Sequence, residues 1–230
     1  MSHPDSSGES SPPGKGSCGE QRGNGAKPRR SAIVLVGGEA RRANGMEKYF
    51  FFFRGKTFIE RLVDSLSEVT DEIVLVAKDE DQCLRFRDME NVRCVADVRR
   101  GIGPVGGIHA GVQEAKGDLL FICACDMPCI EPGVIQRLFS EIDDYDAVIP
   151  EWDRERFEPL HAVYRRSALI AYLSDHKSLS LRDMIKSLNS RYLSVDQLRN
   201  MDPELQTFTN INKIEDLMSI SGKKTLKKKK

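Results

Sequence analysis

Four short groups of residues have the types and spacings that could do chemistry. The first is Leu35-Val36-Gly37-Gly38-Glu39-Ala40-Arg41-Arg42, with Lys48 a few residues on. Glycines without a Cβ let the backbone approach phosphates closely, so that main-chain N–H groups can point at anionic oxygens. Arg41, Arg42 and Lys48 add the charge that a triphosphate needs, and an arginine can grip two oxygens at once. The competing reading is a surface turn with solvated cations. Neither G-x-G-x-x-G nor G-x4-G-K-[ST] is present, so this is not a dinucleotide fingerprint or a P-loop. The second group is Cys125-Asp126-Met127-Pro128. A single carboxylate at a strand end suits magnesium, which takes one or two carboxylates and completes its octahedron with water and phosphate oxygens. A turn-forming Asp without any metal fits equally well.

The third group is Asp97, followed by Gly101-Ile-Gly-Pro-Val-Gly-Gly107. Asp97 orients a base or ribose, or caps a turn, and the glycine-rich stretch enters a helix where a ligand can come close. The fourth is Asn210 and Asn212, two residues apart on an expected late strand and therefore on one face of it. Such amides bind ribose, an acceptor phosphate or metal-bound water, or more commonly satisfy local backbone groups. No Ser–His–Asp or Cys–His arrangement emerges. His161 sits in an apolar run, as a core histidine does. Cys123, Cys125 and Cys129 are not spaced as a zinc site, and they read as small apolar groups that pack.

The elements that must position these groups alternate in type. Strand-like runs are Ser31–Val36, Glu72–Ala77, Val92–Ala96, Asp118–Ala124, Asp146–Ile149 and Leu160–Tyr164. Helical spacing fills Thr57–Val69, Gly106–Ala115, Pro132–Ile142 and the stretches 166–174 and 179–189. Asp183–Gln206 has no clear period, and Phe208–Asn212 closes as a last strand. Trp152 and the run Tyr49–Phe53 read as core and as cover for the first loop, where an exposed patch could serve self-association. The alternation predicts an α/β fold: a Rossmann-like three-layer sandwich with a mostly parallel central sheet. Ligands bind such sheets at the carboxyl ends of the strands, where the first three groups fall.

The expected boundaries are a disordered tail over 1–30, one domain over 31–220 and a lysine-rich tail over 221–230. In the first thirty residues, sixteen are Gly, Ser or Pro, too little apolar surface to offset ordering entropy. The last eight residues hold six lysines, which read as a solvated tail or as a contact for RNA or an acidic partner. The chain carries 35 basic and 35 acidic residues, a balance that argues against a general nucleic-acid binder. No apolar run is long enough for a membrane span, and no secretory signal is visible. Free buried thiols suit a reducing cytoplasm, the expected location.

Taken in order, Leu35–Arg42 with Glu47-Lys48, Gly103-Pro-Val-Gly-Gly107, Cys125–Pro128 and Thr209-Asn-Ile-Asn212 resemble the motifs of molybdenum cofactor guanylyltransferases, over about residues 31–220. The resemblance implies a magnesium-dependent enzyme that joins GMP from GTP to molybdopterin-bound molybdenum or tungsten and releases pyrophosphate. It places Leu35, Val36, Gly37 and Gly38 along the nucleotide and Lys48 on its phosphates, with Arg42 in the catalytic set beside Lys48 and Asp126. It further implies that Asp97 contacts GTP, that Asp126 binds magnesium and nucleotide together, and that Asn210 and Asn212 face the acceptor. Partners implied are GTP, molybdopterin and the enzymes that carry or receive that cofactor.

Two departures stand out. The family pattern reads Arg-Met-Gly and then Asp-Lys, whereas Arg42 is followed here by Ala43-Asn44-Gly45-Met46 and Glu47 replaces the Asp. Where members often carry Asn near the end of the second strand-like run, this chain has Val76-Ala77. Alternatives at this stage are cytidylyl transfer to molybdopterin, guanylyl transfer to another phosphate, and a non-catalytic GTP-binding adaptor.

Overall fold

A computed structural model of the chain describes residues 27–37, 47–53, 55–97, 103–175 and 180–211, with Lys48 and Phe53 as backbone only. Residues 1–26 of the expected first tail, the lysine-rich tail, Gly38, Arg41, Arg42, Asn212 and the Lys48 side chain lie outside the described residues, whereas Arg30 begins the first strand.

The chain opens with β1 (Arg30–Leu35), a 3-10 turn at Lys48–Phe50 and a small hairpin of β2 (Phe52–Phe53) and β3 (Lys56–Thr57). Helix α1 (Phe58–Ser67) starts on a reciprocal cap, in which Thr57 Oγ1 accepts from the Glu60 amide and Glu60 Oε2 accepts from the Thr57 amide. Such a cap satisfies two of the orphan donors at a helix start and is worth about 1 kcal/mol. Strand β4 (Glu72–Ala77), the short helix α2 (Glu80–Cys83), β5 (Val92–Ala96), helix α3 (Pro104–Glu114), β6 (Leu119–Ala124) and helix α4 (Pro132–Ser140) follow. The remainder is β7 (Ala147–Asp153), β8 (Arg156–Phe157), β9 (His161–Arg165), α5 (Arg166–Asp175), α6 (Leu181–Ser187) and β10 (Ser190–Ser194).

The main sheet runs β10-β7-β9-β6-β1-β4-β5, with β8 attached to β7. Pairs β1/β4, β1/β6, β4/β5 and β7/β10 are parallel, while β9 runs antiparallel to both β6 and β7. Side chains alternate between the two faces, as a pleated strand requires. Ala32, Val34 and Val36 join α1 (Ile59, Leu62) and α4 (Val134, Leu138) in one core. Ile33 joins α3 (Ile108, Val112), α5 (Leu169) and α6 (Met184) in the other. Strands buried on both faces explain the unbroken apolar runs in the sequence. The expected three-layer, mostly parallel α/β fold is what forms.

Two expectations fail near the end. The region after Pro150 holds more order than its sequence suggests, because β7 continues to Asp153 and β10 pairs with it. β10 is a partly exposed edge strand, so it lacks the apolar run that marks a buried one. Phe208–Asn212 is not a strand within the described residues. Leu205 takes a left-handed conformation (φ 51°) and starts a 3-10 turn over Gln206–Phe208, and Asp202 Oδ2 accepts from the Thr207 amide at 2.7 Å. That turn chemistry overrides the alternation, so Asn210 is not placed by a strand, and Asn212 lies outside the described residues.

Candidate active site

The sheet changes direction between β1 and β6. From β1 the chain moves out to β4 and β5, and from β6 it moves the other way, to β7 and β9. Ligands bind at such a switch point, beyond the carboxyl ends of the strands. Leu35 stands opposite Ala124 in the parallel register, and the Cys125 amide donates to the Leu35 carbonyl at 3.2 Å. Gly37 and Asp126, each two residues further on, therefore leave neighbouring strands at one rim, about one strand spacing (~5 Å) apart. Asp126 is half-buried.

The glycine turn is held tightly from below. The Val36 amide donates to the Val76 carbonyl at 2.9 Å. A Cβ on Gly37 would meet Lys78 N at 2.7 Å and Ala77 C at 2.9 Å, both backbone atoms with no room to give. Gly37→Ala should therefore push the turn off β4. We expect GTP affinity to fall at least tenfold, with a stability loss of about 1–3 kcal/mol, the usual cost of overpacking. Calorimetric GTP titration and thermal melts would check both.

A buried glutamine that sequence reasoning missed ties this turn to its neighbours. Gln82 is 2% exposed. Its Oε1 accepts from the Lys78 amide at 2.8 Å, and its Nε2 donates to Tyr49 Oη at 2.8 Å and to the Val36 carbonyl at 3.4 Å. One side chain thus joins the ends of β1 and β4 to the Lys48–Phe50 turn. The only trace in sequence is Asp79-x-x-Gln82, a helix-start pattern, and Asp79 Oδ1 does accept from the Gln82 amide. The Tyr49 hydroxyl also donates to Glu47, whose carboxylate is paired with Arg85. Glu47, the residue that departs from the family pattern, is thereby engaged as a strut beneath the loop. Burial, and then the Glu47 carboxylate, pushes the Tyr49 phenol far above its usual range and keeps it protonated.

The backbone of Lys48 opens this same turn. Three residues later Phe51 packs in a small cluster with Phe58 and Ile211, against Cys129. The Ile211 amide in turn donates to the Asp126 carbonyl at 2.8 Å. The late segment with exposed Asn210 is thus clipped beside Asp126 by backbone, without a strand. Asp97 follows β5 at the same rim, its amide donating to the Ala77 carbonyl at 2.7 Å. Helix α3 begins there too, after Gly103 at φ 72°, a conformation that favours glycine. Gly107 and Gly111 press the helix onto Leu35 and Ile33. Its first-turn amides and the positive end of its dipole are suited to an anion.

His161 is no base. It is fully buried between Phe121 and Phe208. Thr207 Oγ1 accepts from the Glu131 amide and shares a hydrogen bond of 3.2 Å with His161 Nε2. Burial drives the imidazole pKa down to about 3. The unfolded chain then binds a proton below about pH 6.5 that the folded chain refuses, and stability falls as pH drops from there toward 3. Between pH 6.5 and 5, above the carboxylate range, the loss should reach roughly 2 kcal/mol. Urea melts should show it, and His161→Leu should flatten it.

The cysteines pack. Cys123 is buried, and Cys125, one residue past β6, packs against the same core. Cys94 Sγ donates to Cys83 Sγ at 2.8 Å, and burial pushes both thiols up. Among the described residues no three His, Cys, Asp or Glu side chains are grouped to hold a metal. No helix among them is long and apolar enough to cross a membrane.

A phosphate-suited glycine turn and a carboxylate side by side at a switch point define the rim site of a nucleotide-handling α/β protein. Residues 32–192 match the family described as MobA-like NTP transferase domain. The chain is 38% identical over 204 residues to a probable molybdenum cofactor guanylyltransferase of Methanosarcina acetivorans, covering 84% of this chain and 90% of that one. It is 36% identical to the molybdenum cofactor guanylyltransferase of Desulfosudis oleivorans, covering 81% and 92%. The solved molybdopterin-guanine dinucleotide biosynthesis protein A of Archaeoglobus fulgidus superposes with TM-score 0.69 at 33% identity, covering 84% and 99%. The chain belongs to the MobA-like nucleotidyltransferase family.

Proposed function

We propose that this chain transfers the guanylyl group of GTP to the terminal phosphate of molybdopterin carrying molybdenum or tungsten, releasing pyrophosphate. The observation that carries the reading is the register of β1 and β6, in which Leu35 faces Ala124 and the backbone of Gly37 and Asp126 leaves at one rim, in a chain 38% identical to a probable molybdenum cofactor guanylyltransferase. The acceptor's phosphate oxygen attacks the α-phosphorus of GTP, a new P–O bond forms, and the bond to the β-phosphate breaks. The attacking oxygen is already anionic, so no strong base is needed, in keeping with a histidine sealed in the core. Catalysis then rests on positioning and charge neutralisation.

The glycine turn and the start of α3 offer amides to the phosphates, Lys48 and Arg42 add cations, and Asp97 contacts the nucleoside. Leu35 and Val36 support the turn from β1, while Asn210 and Asn212 face the acceptor. Magnesium fits the donor set: one carboxylate, Asp126, without a protein cage among the described residues, which leaves most of its octahedron to water and phosphates. The chemistry such an ion supplies is neutralisation of charge gathering on the α-phosphate and leaving group.

The test is incubation with magnesium, GTP and molybdopterin-loaded carrier, followed by mass spectrometry for the dinucleotide. CTP and ATP in parallel separate guanylyl from cytidylyl or adenylyl transfer. GTP bound but not consumed with acceptor and magnesium present would identify an adaptor and sink the proposal.

A further inference from the structure

Trp152 is the chain's single tryptophan, and patterning assigns it to core or cover. The structure corrects this: Trp152 is 38% exposed, near the carboxyl end of β7. Because β9 is antiparallel to both β6 and β7, the carboxyl ends of β6 and β7 open on the same rim. Trp152 therefore stands on Asp126's rim, on the side away from the glycine turn. Two strand spacings, roughly 10 Å, separate β7 from β6.

The indole is held in place. Its Nε1 donates to Glu158 Oε1 at 2.8 Å. Its ring meets Phe208 edge-on, with centroids 5.7 Å apart and planes at 70°. Phe208 rests on His161 at 4.8 Å, and His161 on Phe121 at 5.0 Å, so the contacts run into the rigid core. Phe208 also begins the segment whose Ile211 amide is bound to the Asp126 carbonyl. One short stretch thus braces the indole and flanks the carboxylate. With its N–H engaged and Phe208 packed against it, the remaining exposed surface of the ring can stack with little further ordering cost.

We propose that Trp152 is an acceptor-binding residue that stacks on the flat heteroaromatic ring system of the pterin while the acceptor's phosphate reaches Asp126. The proposal rests on the acceptor named above. A phosphorylated pterin is of the right order of length to bridge the two strand spacings between them. Stacking of a heterocycle on an aromatic side chain changes affinity by about tenfold or more when the ring is removed.

The test uses the full chain and steady-state kinetics with molybdopterin-loaded carrier as acceptor. Trp152→Ala should raise KM for the acceptor roughly tenfold while leaving KM for GTP unchanged, and Trp152→Phe should restore much of the loss. Trp152→Leu keeps bulk against Phe208 without a flat face, and should fail like alanine while melting like the wild type. As the sole tryptophan, residue 152 also reports directly: oxidised, phosphorylated pterin should quench its emission and GTP should not. Equal pterin affinity with and without the indole, read from the pterin's own fluorescence, overturns the role of Trp152 alone. A wild-type chain that ignores pterin phosphate but guanylylates a different phosphorylated acceptor overturns the acceptor reading, and this role with it.

Discussion

Replacing Asp126 by alanine is expected to cut pyrophosphate release from GTP by about 100-fold or more, the scale of losing one electrostatic stabiliser. The backbone argues that the loss will be chemical rather than structural. The contact that clips the late segment to this position uses the Asp126 carbonyl, not its carboxylate, and survives truncation. The strand before it is held by ladder bonds on both sides, to β1 and to β9. What disappears is a half-buried carboxylate one strand from the glycine turn, the group assigned to magnesium and nucleotide. Asp126→Asn should fall as far, since it keeps the shape and removes the charge. Rates would be followed by pyrophosphate release across a magnesium titration, with thermal melts as the control. An Asp126→Ala enzyme working near the wild-type rate would remove the metal anchor from the mechanism.

Lys48→Ala should lose a comparable factor, about 100-fold or more, by removing a cation from the triphosphate. The turn that begins at Lys48 is pinned by buried Tyr49, by the pairing of Glu47 with Arg85, and by Gln82 beneath both. Lys48→Arg should recover part of the activity, because charge is kept while the compact ammonium is exchanged for a planar fork. The loss should reach kcat as well as KM, since charge grows on the leaving pyrophosphate as the bond breaks. Unchanged kcat with a raised KM would reduce Lys48 to a ground-state contact. On the proposed reading the two substitutions separate two parts of one site, an anchor that follows β6 and a cation from the turn after β1.

The altered first loop gains a physical account from its surroundings. Glu47 stands where the family motif is expected to carry Asp, and its pairing with Arg85 and Tyr49 employs it as a brace. Val76-Ala77 closes β4 where the family motif is expected to carry an asparagine, but the backbone there is still used. The Val76 carbonyl holds the Val36 amide, the Ala77 carbonyl holds the Asp97 amide, and the Lys78 amide is held by Gln82. Main-chain groups and one buried glutamine do the positioning.

The sequence by itself determined the sandwich and the likeness of its loops to those of guanylyltransferases. Strands buried on both faces need unbroken apolar runs, helices need a 3.6-residue stripe, and Gly37, Asp97 and Asp126 follow such runs directly. These are local signals, carried by neighbours in the chain. Only the tertiary structure decided which strands pair and in what register. The pairing of Leu35 with Ala124 sets Gly37 beside Asp126, the antiparallel β9 turns the end of β7 and Trp152 toward the same rim, and Gln82 and Ile211 lock distant segments there. The same is true of the late segment: Asp202, Leu205 and His161 convert an alternating stretch into a turn clipped to the site. Apart from the local Asp202–Thr207 turn, each of these depends on hydrogen bonds and packing between residues far apart in the chain, so that no short window of sequence contains both partners.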